Sequence, residues 1–209
     1  MKKSILILSI ATLILGFSSC KGDTKKSEEA STDITCLYSY DSNTTSLEWT
    51  AFKFTDKTPV KGTFNAIKIE GIKTAEDEKE MIESLTFTIS TNSVETQNEE
   101  RNGKIVKLFF GSIDTDAITG KVKSLGENGE AIIEIKMNNS AQEVAGKYTL
   151  DEGLFSFTAT IDVMKWNAGK GISLLNEACK VLHTGPDGKS KLWSEVDLSF
   201  TTQLKSECN

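Results

Sequence analysis

The sequence contains a single histidine, His183, which follows Cys179 by four residues in the stretch KGISLLNEACKVLH. In a helix this spacing places both side chains on one face, so a thiolate and imidazole pair could act there in nucleophilic catalysis. A small buried cysteine beside a helix-terminal histidine is the commoner reason for such a pair. The chain lacks G-x-S-x-G, H-E-x-x-H and a Gly-rich phosphate loop. We therefore expect no enzymatic activity, no metal site and no cofactor.

A different cysteine chemistry is indicated by LILGFSSC, residues 13–20. Lys2 and Lys3 precede an apolar stretch at 4–17, which is shorter than the roughly 20 residues that span a bilayer. Two small serines then lead to Cys20, the first position after a signal-peptidase pattern. This resembles the lipobox of bacterial lipoproteins, in which the cysteine sulfur is acylated. A plain secretory signal with a chance cysteine is the alternative.

The expected organisation is a signal peptide at 1–19, a flexible tether at 20–33 and one domain at 34–209. The tether prediction depends on KGDTKKSEEASTD, which has no large apolar residue and cannot bury enough surface to fold. A lipid on Cys20 would hold the domain at the cell envelope, on the periplasmic face of either membrane or at the cell surface.

The charge of the chain limits its partners. It has 30 acidic residues against 24 basic ones and a formal net charge of −6. We therefore do not expect this protein to bind nucleic acid, because such binding requires a basic face that neutralises phosphates. The same balance disfavours docking on anionic lipid headgroups beyond the anchor itself.

The domain sequence is dominated by β-strand patterns. SLTFTIST and SEVDLSFTTQL alternate apolar and polar residues, which is typical of half-buried antiparallel strands. Similar runs lie at about 34–40, 45–55, 60–70, 112–124, 130–138, 142–150 and 153–163. NEERNGKIVKLFFG and KGISLLNEACKVLH have helical spacing instead and are predicted to cap or cross the barrel ends. We predict an all-β fold with two short helices, in which about eight strands close an extended antiparallel, lipocalin-like barrel. A two-sheet sandwich is the alternative.

Three cysteines remain beyond Cys20, and an exported protein favours one disulfide and one free thiol. The first and last strands of an antiparallel barrel run in opposite directions, which brings Cys36, before the first strand, near Cys208, after the last. We predict a Cys36–Cys208 disulfide, with Cys179 unpaired beneath the second helix.

Several motifs, taken in order, carry a family resemblance. LYSYDSNTTSLEWTAFKFTDKTPVKGTFNAIKI contains a Trp, a Lys and a Gly-x-Phe, and SLTFTISTNSVETQNEERNGKIVKLFF contains a Ser-Val-x-Thr loop before a polar helix with paired Phe. ITGKVKSL, FTATIDVMKWNAG and LWSEVDLSF follow. Together they resemble the YceI-like family of polyisoprenoid-binding proteins over nearly all of 38–204. The resemblance implies a long apolar tunnel for an isoprenoid chain, such as a quinone tail or a polyprenyl lipid. A homodimer is a possible assembly.

Strand parity, the helical segments and the Gly-x-Phe motif select candidates for the tunnel wall. They are Leu47, Trp49, Lys53, Phe64, Leu85, Phe87, Ile89, Ile133, Ile135, Met137, Leu198 and Phe200 on strands, with Phe109, Phe110, Met164, Trp166, Leu174 and Leu175 closing an end. Lys53 is placed at a mouth, where its amine could meet a polar headgroup; a lysine that extends into water is the alternative. As a set these side chains either line a tube or fill the barrel, which would leave a ligand-free scaffold or adhesion module.

Overall fold

The computed structural model describes residues 35–209; the signal peptide predicted at 1–19, the lipidation site Cys20 and the tether predicted at 20–33 lie outside the described residues. The strands are β1 (Cys36–Ser39), β2 (Ser46–Lys53), β3 (Thr58–Phe64), β4 (Ile67–Glu70), β5 (Thr86–Ser90), β6 (Val94–Glu95), β7 (Ala117–Leu125), β8 (Glu130–Met137), β9 (Ser140–Asp151), β10 (Leu154–Asp162), β11 (Leu192–Gln203) and β12 (Lys205–Cys208). The α-helices are α1 (Glu78–Glu83), α2 (Glu99–Lys104), α3 (Gly169–Ala178) and α4 (Lys180–His183). None of the helices in this part of the chain is long and apolar enough to cross a bilayer.

Ten of the strands form one curled antiparallel sheet, in the order β4-β5-β7-β8-β9-β10-β11-β2-β3-β6. In sequence, β4 continues β3 after a two-residue break, and β6 continues β5 after a 3-10 turn at Thr91–Ser93. The two ends of the strand order, β4 and β6, therefore belong to two broken strands that pair with each other. If each broken strand is counted once, the sheet has eight strands. The predicted fold class, a mostly β, lipocalin-like architecture of about eight antiparallel strands, is confirmed.

The segment at 60–70, predicted as one strand, breaks at Asn65 and Ala66. Ser93 stabilises the break, since its carbonyl accepts from the Asn65 N–H at 2.9 Å and its hydroxyl oxygen accepts from the Ala66 N–H at 3.0 Å. The break lets β3 pair with β2 and β6 while β4 pairs with β5. A bend of this kind curls the sheet, and alternation alone does not reveal it.

The described residues contain four α-helical segments where the sequence predicted two. The additional helix α1 begins within an acid-rich part of the sequence, TAEDEKE at residues 74–80. It begins at Asp77, whose carboxylate accepts from the Glu80 N–H at 2.8 Å, as an N-cap residue does. Met81 and Ile82 of α1 are fully buried. The acidic residues are therefore the exposed face of an amphipathic helix.

The two predicted helices are present with irregular geometry. Asn98 caps α2, and the chain continues from α2 into a π-helical segment at Ile105–Phe110 that buries Phe109 and Phe110. The second predicted helix is divided at Cys179 into α3 and α4. A π-helical segment widens the helix by one residue per turn and often occurs at functional sites. Here it aims two phenylalanine rings at the interior of the sheet.

The remaining strands, β1 and β12, form a separate two-stranded ribbon in which Cys36 is paired with Cys208. These residues form a disulfide, at the position the sequence predicts. Cys179 carries a free thiol and is buried. The ribbon therefore fastens the beginning of the described chain to its end.

Candidate functional site

The interior of the curled sheet contains a cavity of about 230 Å³. Its wall is built from inward-facing residues of β2–β8, β10 and β11, and α3 and the π-helical segment cover part of it. Because side chains alternate across a strand, one apolar face of each strand is directed into this space. The interior is thus a lined cavity and not a completely filled core.

Fourteen of the eighteen side chains predicted for the tunnel lie on the cavity wall. They are Leu47, Trp49, Phe64, Leu85, Phe87, Ile89, Phe109, Phe110, Ile133, Ile135, Met137, Leu175, Leu198 and Phe200. They come from five strands (β2, β3, β5, β8 and β11), α3, the π-helical segment and the residue just before β5. Strand parity therefore identified the wall even where the strand ends were misplaced.

Lys53, predicted at a tunnel mouth, does not line the cavity. Its amine donates to the carbonyl of Leu182 at 3.4 Å and lies 4.5 Å from the centre of the Phe54 ring. Lys53 is the last residue of β2, and the next residue, Phe54, has a positive φ of 59°. The strand geometry that would direct Lys53 inward ends there, so its amine reaches the outside.

Three further candidates lie away from the cavity. Met164 and Leu174 are 50% and 42% exposed. Trp166 is fully buried in the packed core, where its indole N–H donates to the carbonyl of Ile135 at 3.0 Å. Leu174 precedes the wall residue Leu175 by one position in α3, and adjacent helical residues point about 100° apart.

Sequence reasoning missed further wall residues. They include Ile67, Ile69, Ile105, Ile118, Val122, Phe155, Phe157, Ile161, Ile172, Leu192 and Trp193. The signal for several was present, because Ile67 and Ile69 alternate along β4, and Phe155 and Phe157 alternate along β10. The others depend on how helices and strand ends pack over the sheet.

Glycines on neighbouring strands leave room for aromatic rings against the wall. The pairs are Trp49 with Gly62, Phe87 with Gly120 and Phe157 with Gly146, and a methyl group at the glycine would lie 2.2, 2.3 and 2.3 Å from the ring. Each ring therefore occupies the space that a side chain on the next strand would fill. This arrangement covers the backbone with apolar surface and keeps the rings close to the wall.

The cavity wall offers no charge, since every side chain assigned to it is uncharged at neutral pH. Its three side chains with an N–H or O–H group all donate to backbone carbonyls: Trp49 to Thr63 at 3.3 Å, Thr86 to Glu70 at 3.3 Å and Trp193 to Phe54 at 2.6 Å. A charged group placed inside would lose its hydration without gaining a partner. The site is suited to burying an uncharged apolar chain.

The Cys179 and His183 pair does not form a hydrogen-bonded dyad. The His183 imidazole is hydrogen-bonded through Nδ1 to Asn176 Oδ1 at 3.0 Å, and the His183 N–H donates to the Cys179 carbonyl at 2.9 Å. Burial, and next the positive charge of Lys53, lower the pKa of His183 below its ordinary value. Within residues 35–209, no cluster of His, Cys, Asp and Glu side chains is arranged to hold a metal ion.

Comparisons with known proteins agree with this architecture. The YceI-like domain model matches residues 38–204. A polyisoprenoid-binding domain from Saccharophagus degradans, implicated in plant cell wall breakdown, superposes with a TM-score of 0.59 at 15% identity, covering 81% of this chain and 98% of that one. BcnA of Burkholderia cenocepacia superposes with a TM-score of 0.54 at 14% identity, covering 80% and 99%. Among curated proteins, no relative matches the sequence. The matched residues make up most of the chain and include the whole ten-stranded sheet. This protein therefore belongs to the YceI-like family.

Proposed function

We propose that this domain binds an uncharged isoprenoid-type lipid, a quinone or a polyprenyl chain, non-covalently in the cavity of the curled sheet. The observation that carries the proposal is the cavity wall, in which aliphatic and aromatic side chains surround the space and each N–H or O–H donor is already bonded to the backbone. Family membership supports the ligand class, and the similar Saccharophagus degradans domain is described as polyisoprenoid-binding.

The dimensions of the sheet are compatible with a long chain. A twelve-residue strand such as β11 rises about 40 Å, and a tilt near 40° leaves about 30 Å of height. Burial of about 15 methylene equivalents would contribute on the order of 12 kcal/mol, from which several kcal/mol are lost to chain ordering and association. Micromolar or tighter affinity follows without any charged contact.

Native mass spectrometry of the protein purified from its host membrane tests the proposal. We expect the native mass to exceed the mass of the same sample under denaturing conditions, which retains any covalent lipid on Cys20, and organic extraction should release a quinone or prenyl lipid. Added quinone or polyprenol should also bind to protein that was stripped of lipid. A native mass equal to the denatured mass, together with no uptake of either lipid, would contradict lipid binding and favour a scaffold or adhesion module.

We further propose that Cys20 is acylated and that the protein acts at the cell envelope, as a carrier, store or sensor of the bound lipid. The supporting observation is the sequence at 13–20, where a cysteine follows a short apolar stretch and two serines. In the Cys20→Ser variant, the protein should move from the membrane fraction to the soluble fraction. Cys179→Ser is the matched control and should remain with the membrane. Unchanged fractionation of Cys20→Ser would exclude the anchor.

A further inference from the structure

The wall contact between Trp49 and Gly62 differs from the other two contacts of this type. Trp49 on β2 is directly opposite Gly62 on β3. A methyl group at Gly62 would lie 2.2, 2.6 and 2.8 Å from three carbon atoms of the indole, and each of these distances is too short for a real contact. The indole therefore occupies the place where the side chain of residue 62 would stand.

At the other two glycines the backbone also closes the space. A methyl group at Gly120 would lie 2.1 Å from the carbonyl oxygen of Glu134, and one at Gly146 would lie 2.5 Å from that of Thr158. At Gly62 the three nearest atoms all belong to the Trp49 side chain. A larger residue at position 62 therefore displaces the indole of Trp49, whereas one at position 120 or 146 would also press on the backbone of the neighbouring strand.

Two contacts hold the Trp49 indole in its present position. Its N–H donates to the Thr63 carbonyl at 3.3 Å, and its ring centre lies 6.5 Å from that of Phe64. The Thr63 hydroxyl in turn donates to the Leu47 carbonyl at 2.5 Å. These bonds lie just beyond the Trp49–Gly62 pair, where β2 and β3 have no further backbone pairing. The strands are thus joined by side chains at this point, and the indole is part of that junction.

We propose that Gly62 and Trp49 are a specificity-determining pair that sets the free width of the cavity and hence the length of chain it accepts. This inference rests on the proposed lipid binding. With Gly62, the indole lies along the wall and leaves the space beyond it open to a methyl-branched chain. With a side chain at position 62, the indole turns into the cavity and blocks that space. A short chain loses little, whereas a long chain loses the contacts of its terminal units.

A double-mutant cycle measured with two neutral prenols tests this pair. Farnesol and the longer solanesol are offered from phosphatidylcholine vesicles to the full chain and to Gly62→Ala, Trp49→Leu and the double variant. Gly62→Ala should weaken solanesol binding by about tenfold for every two methylene equivalents that lose their contact. Farnesol binding should change by less than about threefold, within the scatter of a typical surface substitution. In the Trp49→Leu background, Gly62→Ala should affect neither prenol.

The outcomes separate this inference from the proposed function. If the parent protein binds neither prenol, the lipid-binding proposal fails. If the parent binds both, but Gly62→Ala weakens them equally or acts equally with and without Trp49, only the specificity pair is refuted. Thermal unfolding of all four proteins shows whether each is folded at the assay temperature. If Gly62→Ala is unfolded at that temperature, Trp49→Leu alone tests the pair. Loss of the indole should widen the cavity and raise the affinity for solanesol relative to that for farnesol. A shift of this ratio in the opposite direction refutes the pair.

Discussion

The Cys36–Cys208 disulfide should be a large contributor to stability and a negligible one to ligand binding. The bonded residues are 172 positions apart, so the crosslink encloses nearly the whole domain. In the chain-entropy model, closing a loop of this length in the unfolded state stabilises the native state by about 5 kcal/mol. Typical domains unfold with only about 5 to 15 kcal/mol in total. Removal of the crosslink should therefore cost a third or more of the stability.

The assay is urea unfolding of the Cys36→Ser/Cys208→Ser variant beside the parent protein, with Cys179→Ser as the matched control. The double variant should have a lower midpoint and a thermal transition lower by about 10–20 °C, given about 2–4 °C per kcal/mol for a domain of this size. The urea slope should increase, because the uncrosslinked unfolded chain exposes more surface. Cys179→Ser changes a buried thiol and closes no loop, so its urea slope should equal that of the parent.

Lipid binding is the internal comparison for this variant. None of the residues of β1 and β12 contributes to the cavity wall. At a temperature where both proteins are folded, the double variant should bind the same prenol with an unchanged affinity. The reasoning would be refuted if the free energy of unfolding of the double variant lay within about 1 kcal/mol of the parent's, which is a fifth of the expected difference. Loss of lipid binding from a folded variant would show instead that the ribbon shapes the cavity.

Three further predictions concern single side chains. Leu198→Glu places a carboxylate on the cavity wall and should lower lipid affinity by at least about a hundredfold at neutral pH, whereas Thr201→Glu, on the outer face of the same strand, should bind normally in the same vesicle assay. Because folding lowers the pKa of His183 from its ordinary value of 6.5, the unfolded state binds more protons below that pH. The free energy of unfolding should therefore fall as pH drops below about 6.5. In urea titrations at a series of pH values, His183→Gln should lack this decrease. A variant whose stability depends on pH in the same way as the parent's would contradict the assignment. Trp166→Phe removes the N–H that donates to the buried Ile135 carbonyl and should destabilise the domain by about 1–3 kcal/mol in urea unfolding, with lipid binding unchanged because Trp166 does not reach the cavity.

The wall of the cavity was predictable largely because strand side chains alternate. Ile133, Ile135 and Met137 are spaced by two residues on β8, and all three line the cavity. Parity fails where regular structure ends. Lys53 continues the inward face of β2 in sequence, but the chain turns at the next residue and its amine bonds to Leu182 on the outside.

The helical segments show a similar division. The helical spacing of Ile105, Leu108 and Phe109 predicted a helix that caps or crosses a barrel end. The structure places the rings of Phe109 and Phe110 on the cavity wall. Both rings belong to a π-helical segment that packs against α3, and the 3.6-residue period does not indicate this geometry. Met164 is apolar and lies near α3 in sequence, yet it is half exposed.

The sequence by itself determined the class of fold, the approximate number of strands, the inward faces and the pair of cysteines at the two ends of the domain. These properties are local or follow from strand direction, so they can be derived from residue order. Only the tertiary structure decided that the interior holds a cavity instead of being filled, because interior width depends on which residues face each other across strands. Gly62 leaves space for the indole of Trp49, and that consequence arises only when the register of β2 and β3 places the two residues opposite each other.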